Sequence, residues 1–499
     1  MNGEFDKNGV WLKIEKMAQN SVVQVFAQVG KFNWTEPYKI GDQFENRGTG
    51  FFVNEYGYIV TNYHVIHEAK IIWIQLPALG REIVHAYVVG FCPDSDIAIL
   101  AISKDGFGKI KTKLGNIPFL ALGNSDTVRR TDSVMTLGYP LGHHFIKSTI
   151  GIVSGRASTG GISLIQITAP INPGNSGGPI LSSFGTVVGI AVSSHVMAQN
   201  VGYAIPINEL KNIFDDLQKE RFLRKPFIGA LFHNATNEQA KLLSNPVPAG
   251  YYVKRVLKNT LMEKAGVQQG DMLYMFNGHK IDAYGEAEVP WSADRVLLRD
   301  LISRLSIGDL VSLVIYRKGE KKEITFKMEK PPVYPIRPIF PGYEEIDYEV
   351  LGGMVIMELR DNHLPLLTQV NPDLIKYLKV ENKTEPVLVI THILPGSYAQ
   401  QLRCLTEGQT ITQVNGKEVK TLNDFRVALR PSVDTDFLSI ETDDKTFAVF
   451  EFAAMLKDEE KLAVSFAYPL SVSMAKLIKQ VVPQESKHKP LRQESEDSA

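Results

Sequence analysis

Cysteine is scarce in this chain of 499 residues, and neither sign of charge is in excess. The two cysteines, Cys92 and Cys404, are far apart, so they make neither a disulfide framework nor a zinc cluster. Lys plus Arg number 54 and Asp plus Glu number 55, which gives a formal net charge of -1. This balance argues against a protein that coats nucleic acid and against a polybasic membrane binder.

Long hydrophobic runs and a P-loop motif are also missing. Apolar stretches such as 71–79 extend for about ten residues, short of the roughly 18 needed to cross a bilayer. The N-terminal segment is polar and lacks the apolar core of a signal peptide. No G-x-x-x-x-G-K-[ST] motif occurs, so ATP-driven unfolding is not built into the chain.

The composition is that of a globular protein, with 44% hydrophobic and 22% charged residues, and the length predicts about three domains. From Ser21 to about Ile207, short runs rich in Val, Ile, Phe and Tyr are separated by Gly, Asn and Pro, which indicates a β-barrel or sandwich. Four apolar residues at helical spacing then predict an amphipathic helix, interpreted as a lid or spacer. They are Leu210, Ile213, Phe214 and Leu217.

Shifts in composition divide the chain into six predicted segments. They are an N-terminal segment (1–20), the β-rich domain (21–222), a second unit (226–330), a proline-rich linker (331–342), a third unit (343–478) and a tail expected to be disordered (479–499). The second unit ends in a hairpin-like stretch with Lys-Gly-Glu at its turn. Five prolines make the linker either a stiff extended connection or a segment that docks on a sheet edge.

The second and third units share an internal repeat. GDMLYMFNGHKI begins at Gly270 and GQTITQVNGKEV begins at Gly408, with apolar residues at matching offsets. Asn277-Gly278 and Asn415-Gly416 lie between apolar runs, where Asn-Gly favours a tight type I′ turn. The match predicts a duplicated domain rather than two unrelated hairpins.

A glycine-flanked serine in the stretch 172–180 (NPGNSGGPI) is the strongest indication of chemistry. A nucleophilic serine needs nearby backbone N–H groups to stabilise an oxyanion, and Gly174, Asn175 and Ser176 can form such a loop because glycine permits unusual φ. One alternative is a plain glycine-rich turn. Another is the nucleophile elbow of α/β-hydrolases, but that fold requires a strand–turn–helix context and the order Ser, Asp, His.

The candidate base and its partner precede the serine, in the order His, Asp, Ser of the chymotrypsin arrangement. His64 follows a predicted strand, and His67 is the nearby alternative. Asp96 stands directly before an apolar strand, where a desolvated carboxylate can hold an imidazole in one tautomer. Asp94 is the other candidate and fits an Asx turn better. The adjacent pair 143–144 (His-His) is interpreted as part of a loop near the binding cleft.

Six segments together resemble the HtrA/Deg serine proteases. They are GTGF (48–51), TNYHVI (61–66), SDIAIL (95–100), LGYPLG (137–142), INPGNSGGPI (171–180) and VGYAIPIN (201–208). The resemblance implies a mainly β fold, with a chymotrypsin-like double β-barrel protease domain followed by two PDZ-like α+β domains. It also implies that His64 is the general base, Asp96 its orienting partner and Ser176 the nucleophile. By the same resemblance, the backbone N–H groups of Gly174 and Ser176 form the oxyanion hole within the 174–176 loop.

The resemblance extends to the PDZ units through AGVQQGDMLYMFNGHKI (265–281). It implies that a first loop presents backbone N–H groups to a peptide carboxylate, beside a strand edge that takes the peptide by β-augmentation. That loop consists of Phe227, Ile228, Gly229 and Ala230. The matching loop of the second unit is 351–354 (LGGM), and the insert around Pro290-Trp291-Ser292 resembles a long Deg subgroup of plants and some bacteria.

The sequence departs from the family pattern beside the serine. Where this chain has Thr168 the family commonly has an acidic residue, and where it has Pro170 the family commonly has a small residue. The strand after the serine also differs from the usual Gly-Ile-Asn-Thr. By resemblance, Ala191, Val192 and Ser193 line the S1 pocket, which in the family accepts small or medium apolar P1 residues. These departures affect substrate preference.

The expected function is an ATP-independent serine endopeptidase that degrades unfolded or damaged proteins in quality control and stress response, with PDZ units that bind peptides and regulate assembly or activity. The competing hypothesis is a chaperone or PDZ scaffold on a silent protease fold. We expect peptide or unfolded-protein substrates, no nucleic acid, no integral membrane segment, no cofactor and no metal. The family resemblance implies a periplasmic location. Because no signal peptide is visible, a cytoplasmic or organellar location is the alternative.

Aromatic residues crowd the segment that follows the first predicted strand. Near this N-terminus the family uses aromatics to hold protease trimers together, and exposed aromatics suit an interface. The resemblance therefore implies a homotrimer, or a hexamer built from two trimers. The residues are Phe32, Trp34, Tyr38 and Phe44.

Overall fold

The computed structural model describes residues 7–159, 162–192, 201–330 and 332–481. The chain forms two compact units: unit 1 comprises Met1–Gly30 and Asp42–Pro332, and unit 2 comprises Lys31–Gly41 and Val333–Ala499. Within the described residues, no helix combines the length and apolar character needed to span a bilayer.

Unit 1 contains two closed six-stranded barrels, which confirms the predicted double-barrel architecture. The first has the strand order β1-β2-β3-β6-β5-β4 and the second the order β10-β11-β12-β9-β8-β7. The first barrel consists of β1 (Val22–Phe32), β2 (Ile40–Phe52), β3 (Tyr58–Thr61), β4 (Ala69–Gln75), β5 (Val84–Cys92) and β6 (Ile97–Ile102). The second consists of β7 (Ser133–Gly138), β8 (Lys147–Thr159), β9 (Ile162–Ile167), β10 (Pro179–Ser182), β11 (Val187–Val192) and β12 (Gly202–Pro206).

In the described part of the chain, four helices accompany the barrels: α1 (Lys7–Ala18), α2 (Tyr63–Ile66), α3 (Lys104–Leu114) and α4 (Ile207–Lys219). The helical spacing predicted α4 correctly, but its interpretation as a spacer is wrong. Leu210 and Leu217 are fully buried in the same core as Leu181 and Val187 of the second barrel. Trp11 of α1 is buried in that core too. Burial of these apolar faces makes both helices part of the protease domain.

The first PDZ domain follows in unit 1. Its sheet has the order β13-β14-β15-β19-β20, with β16 beside β15, and a separate pair of short strands, β17 and β18. Its strands are β13 (Ala230–His233), β14 (Tyr251–Val256), β15 (Met272–Phe276), β16 (His279–Lys280), β17 (Glu286–Ala287), β18 (Val296–Leu297), β19 (Leu310–Arg317) and β20 (Glu320–Lys327). Its helices are α5 (Asn237–Leu242), α6 (Leu261–Lys264) and α7 (Leu298–Ser303).

The second PDZ-like domain lies in unit 2 and has the sheet order β21-β22-β23-β24-β26-β27, with β25 beside β24. Its strands are β21 (Tyr348–Leu351), β22 (Met354–Glu358), β23 (Leu388–Ile393), β24 (Thr410–Val414), β25 (Lys417–Glu418), β26 (Phe437–Thr442) and β27 (Phe447–Glu451). Its helices are α8 (Leu364–Leu367), α9 (Tyr398–Leu402), α10 (Leu422–Ala428), α11 (Ser432–Thr435), α12 (Phe452–Phe466) and α13 (Val472–Val481).

Both predicted Asn-Gly turns are present and join equivalent strands in the two PDZ-like domains. Asn277 and Gly278 have φ values of 47° and 79° between β15 and β16, and Asn415 and Gly416 have 50° and 71° between β24 and β25. Two central residues with positive φ define the type I′ turn. The structure therefore confirms that the repeat marks corresponding hairpins.

Three predicted segments of unit 2 can be compared with the structure. Ile336 and Ile339 of the proline-rich stretch are buried, so this stretch packs within unit 2, while docking on a sheet edge stays a prediction. Helix α13 continues to Val481, beyond the predicted start of the tail at 479, and the remaining tail residues lie outside the described part of the chain. Two of the predicted trimer aromatics are engaged within unit 2: Trp34 is only 8% exposed and packs on His363, and Tyr38 packs on Tyr348 and Tyr468. Trp34 is therefore buried within its own unit, and the predicted trimer interface stays a prediction.

Candidate active site

His64 and Asp96, which lie beside the paired ends of β3 and β6, are joined by two hydrogen bonds. The Asp96 Oδ2 atom lies 2.7 Å from His64 Nδ1, and the His64 backbone N–H donates to Asp96 Oδ1 at 2.9 Å. His64 lies in the single-turn helix α2 just after β3, rather than on the strand itself. An acceptor on Nδ1 favours the tautomer in which Nε2 carries the free lone pair. The imidazole is 45% exposed and so is accessible to a substrate.

Asp96 adopts an unusual backbone conformation that its neighbours stabilise. Its φ of 53° lies in the left-handed region, which costs free energy for a non-glycine residue. The Asp96 carbonyl accepts hydrogen bonds from Tyr63 N at 3.2 Å and Asn62 Nδ2 at 3.0 Å. Asn46 Nδ2 in turn donates to the carbonyls of His64 and Val65. Sequence reasoning included Asn62 only as part of the TNYHVI motif and missed Asn46, because their partners are visible only in three dimensions.

The serine loop is held by a turn and by hydrogen bonds to Thr49. Asn175 N donates to Asn172 O at 3.0 Å, and Gly174 has a φ of 98°. Pro and Gly at the central positions suit a type II turn. Thr49 Oγ1 donates to Gly174 O at 2.6 Å, while Thr49 N donates to Ser176 O at 2.8 Å. The loop is therefore fixed to β2.

Thr49 also connects the serine loop to the strand that precedes His64. Thr61 Oγ1, at the end of β3, donates to Thr49 O at 2.7 Å. Gly177 is packed so tightly that an added Cβ would lie 2.1 Å from Thr49 O. Ser176 itself is only 3% exposed. The elements that carry His64 and Ser176 thus share one hydrogen-bonded framework.

The remaining predicted site residues take different places. Ala191 is buried and exchanges hydrogen bonds with the serine loop, since its N–H donates to Gly178 O and its carbonyl accepts from Gly177 N. Val192 is half-buried, and Ser193 lies outside the described residues. His67, the alternative base, is packed on Tyr63, and burial lowers its pKa. No hydrogen bond joins His67 to Asp96 in the described part of the chain.

Comparison with known proteins matches each domain. A model described as trypsin-like peptidase domain matches residues 48–190, and models described as PDZ domain match residues 226–328 and 342–473. A probable periplasmic serine endoprotease DegP-like from Marinomonas sp. (strain MWYL1) is 30% identical, over 77% of this chain and 74% of that protein. The chain belongs to the DegP-like family of serine endoproteases.

Other similarities agree with this membership of the DegP-like family. Protease Do-like 2, chloroplastic, from Arabidopsis thaliana is 27% identical, over 87% of this chain and 71% of that protein. A solved structure described as HtrA-type protease AlgW with decapeptide shares the fold, with a TM-score of 0.50 and 24% identity over 65% of this chain and 99% of that one. This DegP-like protein is a serine endopeptidase with a trypsin-like domain and two PDZ domains.

The first PDZ domain of the DegP-like chain has an open groove. Among the described strands, β13 pairs only with β14, so its other edge is free for a further strand. A cavity of about 900 Å³ lies along this edge and is lined by α7 and by the predicted carboxylate loop. In that loop Gly229 has a φ of 86°, and an added Cβ would lie 2.0 Å from Thr260. Only glycine fits this position.

The equivalent edge in the second PDZ-like domain is already paired. Strand β22 pairs with β23 on one side and with β21 on the other, and β21 runs antiparallel to it through the turn at Gly352 and Gly353. Arg426 of α10 binds β21 with its whole guanidinium group: it contacts both carboxylate oxygens of Asp347 and one of Glu349, at 2.7–2.8 Å. The chain thus supplies its own strand where a ligand would add to the sheet.

A buried side-chain carboxylate reaches the predicted carboxylate loop of this second domain. Gly352 N donates to Glu459 Oε2 at 2.7 Å, and Tyr468 OH donates to Glu459 Oε1 at 2.6 Å. Burial raises the pKa of Glu459 to about 7, although both hydrogen bonds oppose the shift and nearby Glu349 adds to it. Glu459 from α12 therefore occupies one N–H donor, that of Gly352, which in a peptide-binding loop faces a ligand.

The shifted pKa of Glu459 predicts how the stability of this domain depends on pH. The folded state holds the proton up to about pH 7, whereas the unfolded chain loses it near its ordinary value of about 4.3. The contribution of Glu459 to stability is therefore fully present in acid and is lost as pH rises through the folded pKa, by about 2–3 kcal/mol between pH 5 and pH 8. Glu459→Gln is expected to remove that part of the pH dependence.

Hydrogen exchange of the full chain, measured as a function of pH, checks this expectation. The exchange of peptides that contain β21 and β22 is followed, and the rates are corrected for the intrinsic pH dependence of exchange. The exposed neighbour Glu460 provides the matched control, Glu460→Gln, which should behave like the parent chain. An unchanged pH dependence in Glu459→Gln would show that the carboxyl group is ionised throughout this range.

Proposed function

We propose that Ser176, His64 and Asp96 are the catalytic triad of this serine endopeptidase. The observation that carries the assignment is the pair of hydrogen bonds between Asp96 and His64, on a framework that Thr49 shares with the serine loop. Asp96 holds the imidazole in the tautomer with a basic Nε2. His64 takes the proton of the Ser176 hydroxyl as that oxygen attacks the scissile carbonyl, and returns it to the leaving amine.

The backbone N–H groups of Gly174 and Ser176 are proposed to form the oxyanion hole, within the loop that includes Asn175. The positive φ of Gly174 and the Thr49 hydrogen bond to its carbonyl support this role, because both fix the direction of the neighbouring peptide groups. Ala191 and Val192, with Ser193, are proposed to line the S1 pocket. Buried Ala191 suits a small or medium apolar P1 side chain.

Unfolded or damaged proteins are the proposed substrates, in protein quality control. The chain has no P-loop, so it does not unfold its own substrates with ATP. We place the protein in the periplasm or an organelle, since the similar proteins carry the names periplasmic and chloroplastic. A homotrimer, or a hexamer of two trimers, is proposed from the family resemblance, with exposed Phe44 still available to an interface.

Labelling with a fluorophosphonate probe tests the proposed triad. Intact full-length protein should take up one probe per chain, with the modification mapped to Ser176, and should cleave unfolded casein without ATP. Ser176→Ala should lose both the label and the cleavage while keeping its fold. Absence of labelling in well-folded protein, with client protection retained, would favour the chaperone or scaffold hypothesis instead.

The first PDZ domain is proposed to be the peptide receptor, through Phe227, Ile228, Gly229 and Ala230. Its edge strand is open, whereas that of the second domain is occupied by β21. A fluorescent decapeptide ending in leucine should therefore bind at one site per chain in anisotropy titrations. Ile302→Asp in α7, which lines the cavity, is expected to weaken binding by about 10-fold or more.

Leu242→Asp is the matched control for this binding experiment, because Leu242 is an exposed apolar residue of the same domain away from the cavity lining. It should leave the affinity unchanged. Two sites per chain, or full affinity in Ile302→Asp, would contradict the assignment of the receptor to the first domain.

A further inference from the structure

A four-residue segment of β2, residues 46–49 (Asn-Arg-Gly-Thr), contacts both the helix that carries His64 and the loop that carries Ser176. Successive side chains of a strand point to opposite faces, so Asn46 and Gly48 share one face and Thr49 lies on the other. The 46–49 segment therefore reaches the two elements through different residues.

Asn46 binds the backbone of the single-turn helix α2. Its Nδ2 donates to the carbonyl of His64 at 3.1 Å and to that of Val65 at 3.0 Å. The last four carbonyl groups of a helix have no donor within the helix, so donors from outside hold its end. The Asn46 Oδ1 atom accepts the backbone N–H of Arg47 at 3.0 Å, which fixes the direction of the amide group. Asn46 therefore holds the backbone of the base against β2.

Thr49 binds the serine loop with a hydroxyl group that both accepts and donates. Its Oγ1 atom accepts the N–H of Tyr139 at 3.1 Å, so its one proton is available for the carbonyl of Gly174, which lies at 2.6 Å. That carbonyl belongs to the same peptide group as Asn175 N, which donates to Asn172 O at 3.0 Å. Both ends of this peptide group are thus bonded, and the group lies between the two proposed oxyanion donors.

Gly48 lets the helix and the serine loop approach the strand closely. A Cβ added at Gly48 would lie 2.6 and 2.7 Å from the two γ-methyl groups of Val65 and 3.1 Å from the carbonyl oxygen of Ser176. Carbon atoms pack at about 3.5–4.0 Å, so a side chain here would push these elements apart. Gly48 does not have a positive φ, so glycine is needed for this approach rather than for its backbone conformation.

We propose that the 46–49 segment sets the separation and orientation of the base and the nucleophile, with Asn46 and Thr49 as positioning residues. Asn46 acts through the backbone of His64, and Thr49 acts through the peptide groups of the oxyanion hole. The inference rests on the proposed triad and oxyanion hole. Proton transfer from serine to histidine requires hydrogen-bond distance, and a misplacement of about 1 Å can cost about 10²-fold in rate.

Thr49→Val tests the role of the hydroxyl group, because valine keeps the shape of threonine without its oxygen. In steady-state kinetics of the full-length protein on a fluorogenic peptide, it is expected to lower kcat by about 10²-fold with little change in KM. The affinity for a peptide boronate, which mimics the tetrahedral intermediate, should fall in parallel. Thr49→Ser keeps the hydroxyl group and should retain most of the parent kcat.

Asn46→Ala tests the hold on the base. It is expected to lower kcat by about 10-fold and to move the acid limb of the pH profile of kcat/KM to lower pH, because a displaced imidazolium loses part of its stabilisation by Asp96. Thr49→Val leaves the contact between His64 and Asp96 in place, so its acid limb should match that of the parent chain. A general loss of packing would not separate the two variants in this way.

A pair of substitutions tests the spacing itself. Gly48→Ala is expected to lower kcat by about 10²-fold, because the new methyl group meets Val65. Val65→Ala removes both methyl groups that the added Cβ would meet, so Gly48→Ala combined with Val65→Ala should recover much of the lost rate. Recovery of this kind is non-additive and is expected only where the two residues act through one contact.

Two controls remove comparable hydrogen bonds in unit 2. Thr391→Val removes a buried hydroxyl that donates to the Thr35 carbonyl at 2.9 Å, and Asn382→Ala removes an amide that donates to the Lys376 carbonyl at 2.7 Å. Both should keep the parent kcat and pH profile. All rates are to be divided by the active fraction from fluorophosphonate titration carried to completion.

The labelling experiment distinguishes failure of this inference from failure of the proposed triad. If the parent chain takes no label at Ser176, the triad fails and the inference is overturned with it. If the parent chain is labelled but Thr49→Val keeps its kcat, or loses no more than Thr49→Ser, the triad stands and the positioning role is overturned. Losses that disappear after correction for the active fraction would also overturn it.

Discussion

Asp96→Asn is expected to lower kcat/KM at neutral pH by about 10⁴-fold while leaving the fold intact. The carboxylate accepts a hydrogen bond from the His64 backbone and lies 2.7 Å from Nδ1. An asparagine oxygen can still accept the backbone N–H, but its amide group then donates to Nδ1. That exchange places the proton on Nε2, so the imidazole can no longer take the proton of Ser176.

Initial rates on the fluorogenic peptide, together with the rate of fluorophosphonate labelling, measure this effect. Both should fall, since both depend on the same activated hydroxyl group. The exposed carboxylate of Asp105 provides a control, Asp105→Asn, expected to match the parent chain. A loss of less than 10-fold in Asp96→Asn would show that the tautomer of His64 is set by another residue.

Gly174→Ala is expected to lower kcat by about 10²–10³-fold, the usual effect of removing one oxyanion donor. Gly174 has a φ of 98°, and an added Cβ would lie 2.3 Å from the carbonyl oxygen of Tyr139. That oxygen is backbone, so the loop rather than the neighbour has to move. Movement of the loop turns the peptide groups of Gly174 and Ser176 away from their present directions.

Gly115→Ala is the matched control for this substitution. Gly115 also has a positive φ, 83°, but nothing lies within 4 Å of its would-be Cβ, and it ends α3 away from the serine loop. It should cost about 1 kcal/mol in stability without changing kcat. Equal kcat values for Gly174→Ala and the parent chain would remove the 174–176 loop from the proposed oxyanion hole.

Local sequence features determined much of the architecture. Short apolar runs between turn residues predicted the barrel strands, and the spacing of Leu210 and Leu217 predicted α4. The type I′ turns followed from Asn-Gly, because φ preference is a property of the residues themselves. Ser176, His64 and Asp96 were candidates from their local context and a resemblance, and the structure places His64 and Asp96 in contact.

Only the tertiary structure decided which distant residues meet. Nothing near Trp34 in the sequence indicates that it packs on His363, and nothing near Glu349 indicates that its strand fills a PDZ edge. The stack of Phe222 on Phe91 joins residues more than a hundred positions apart. Turn and helix preferences act over a few neighbouring residues, whereas these contacts depend on how completed strands and helices pack, and that packing determines how the site is held.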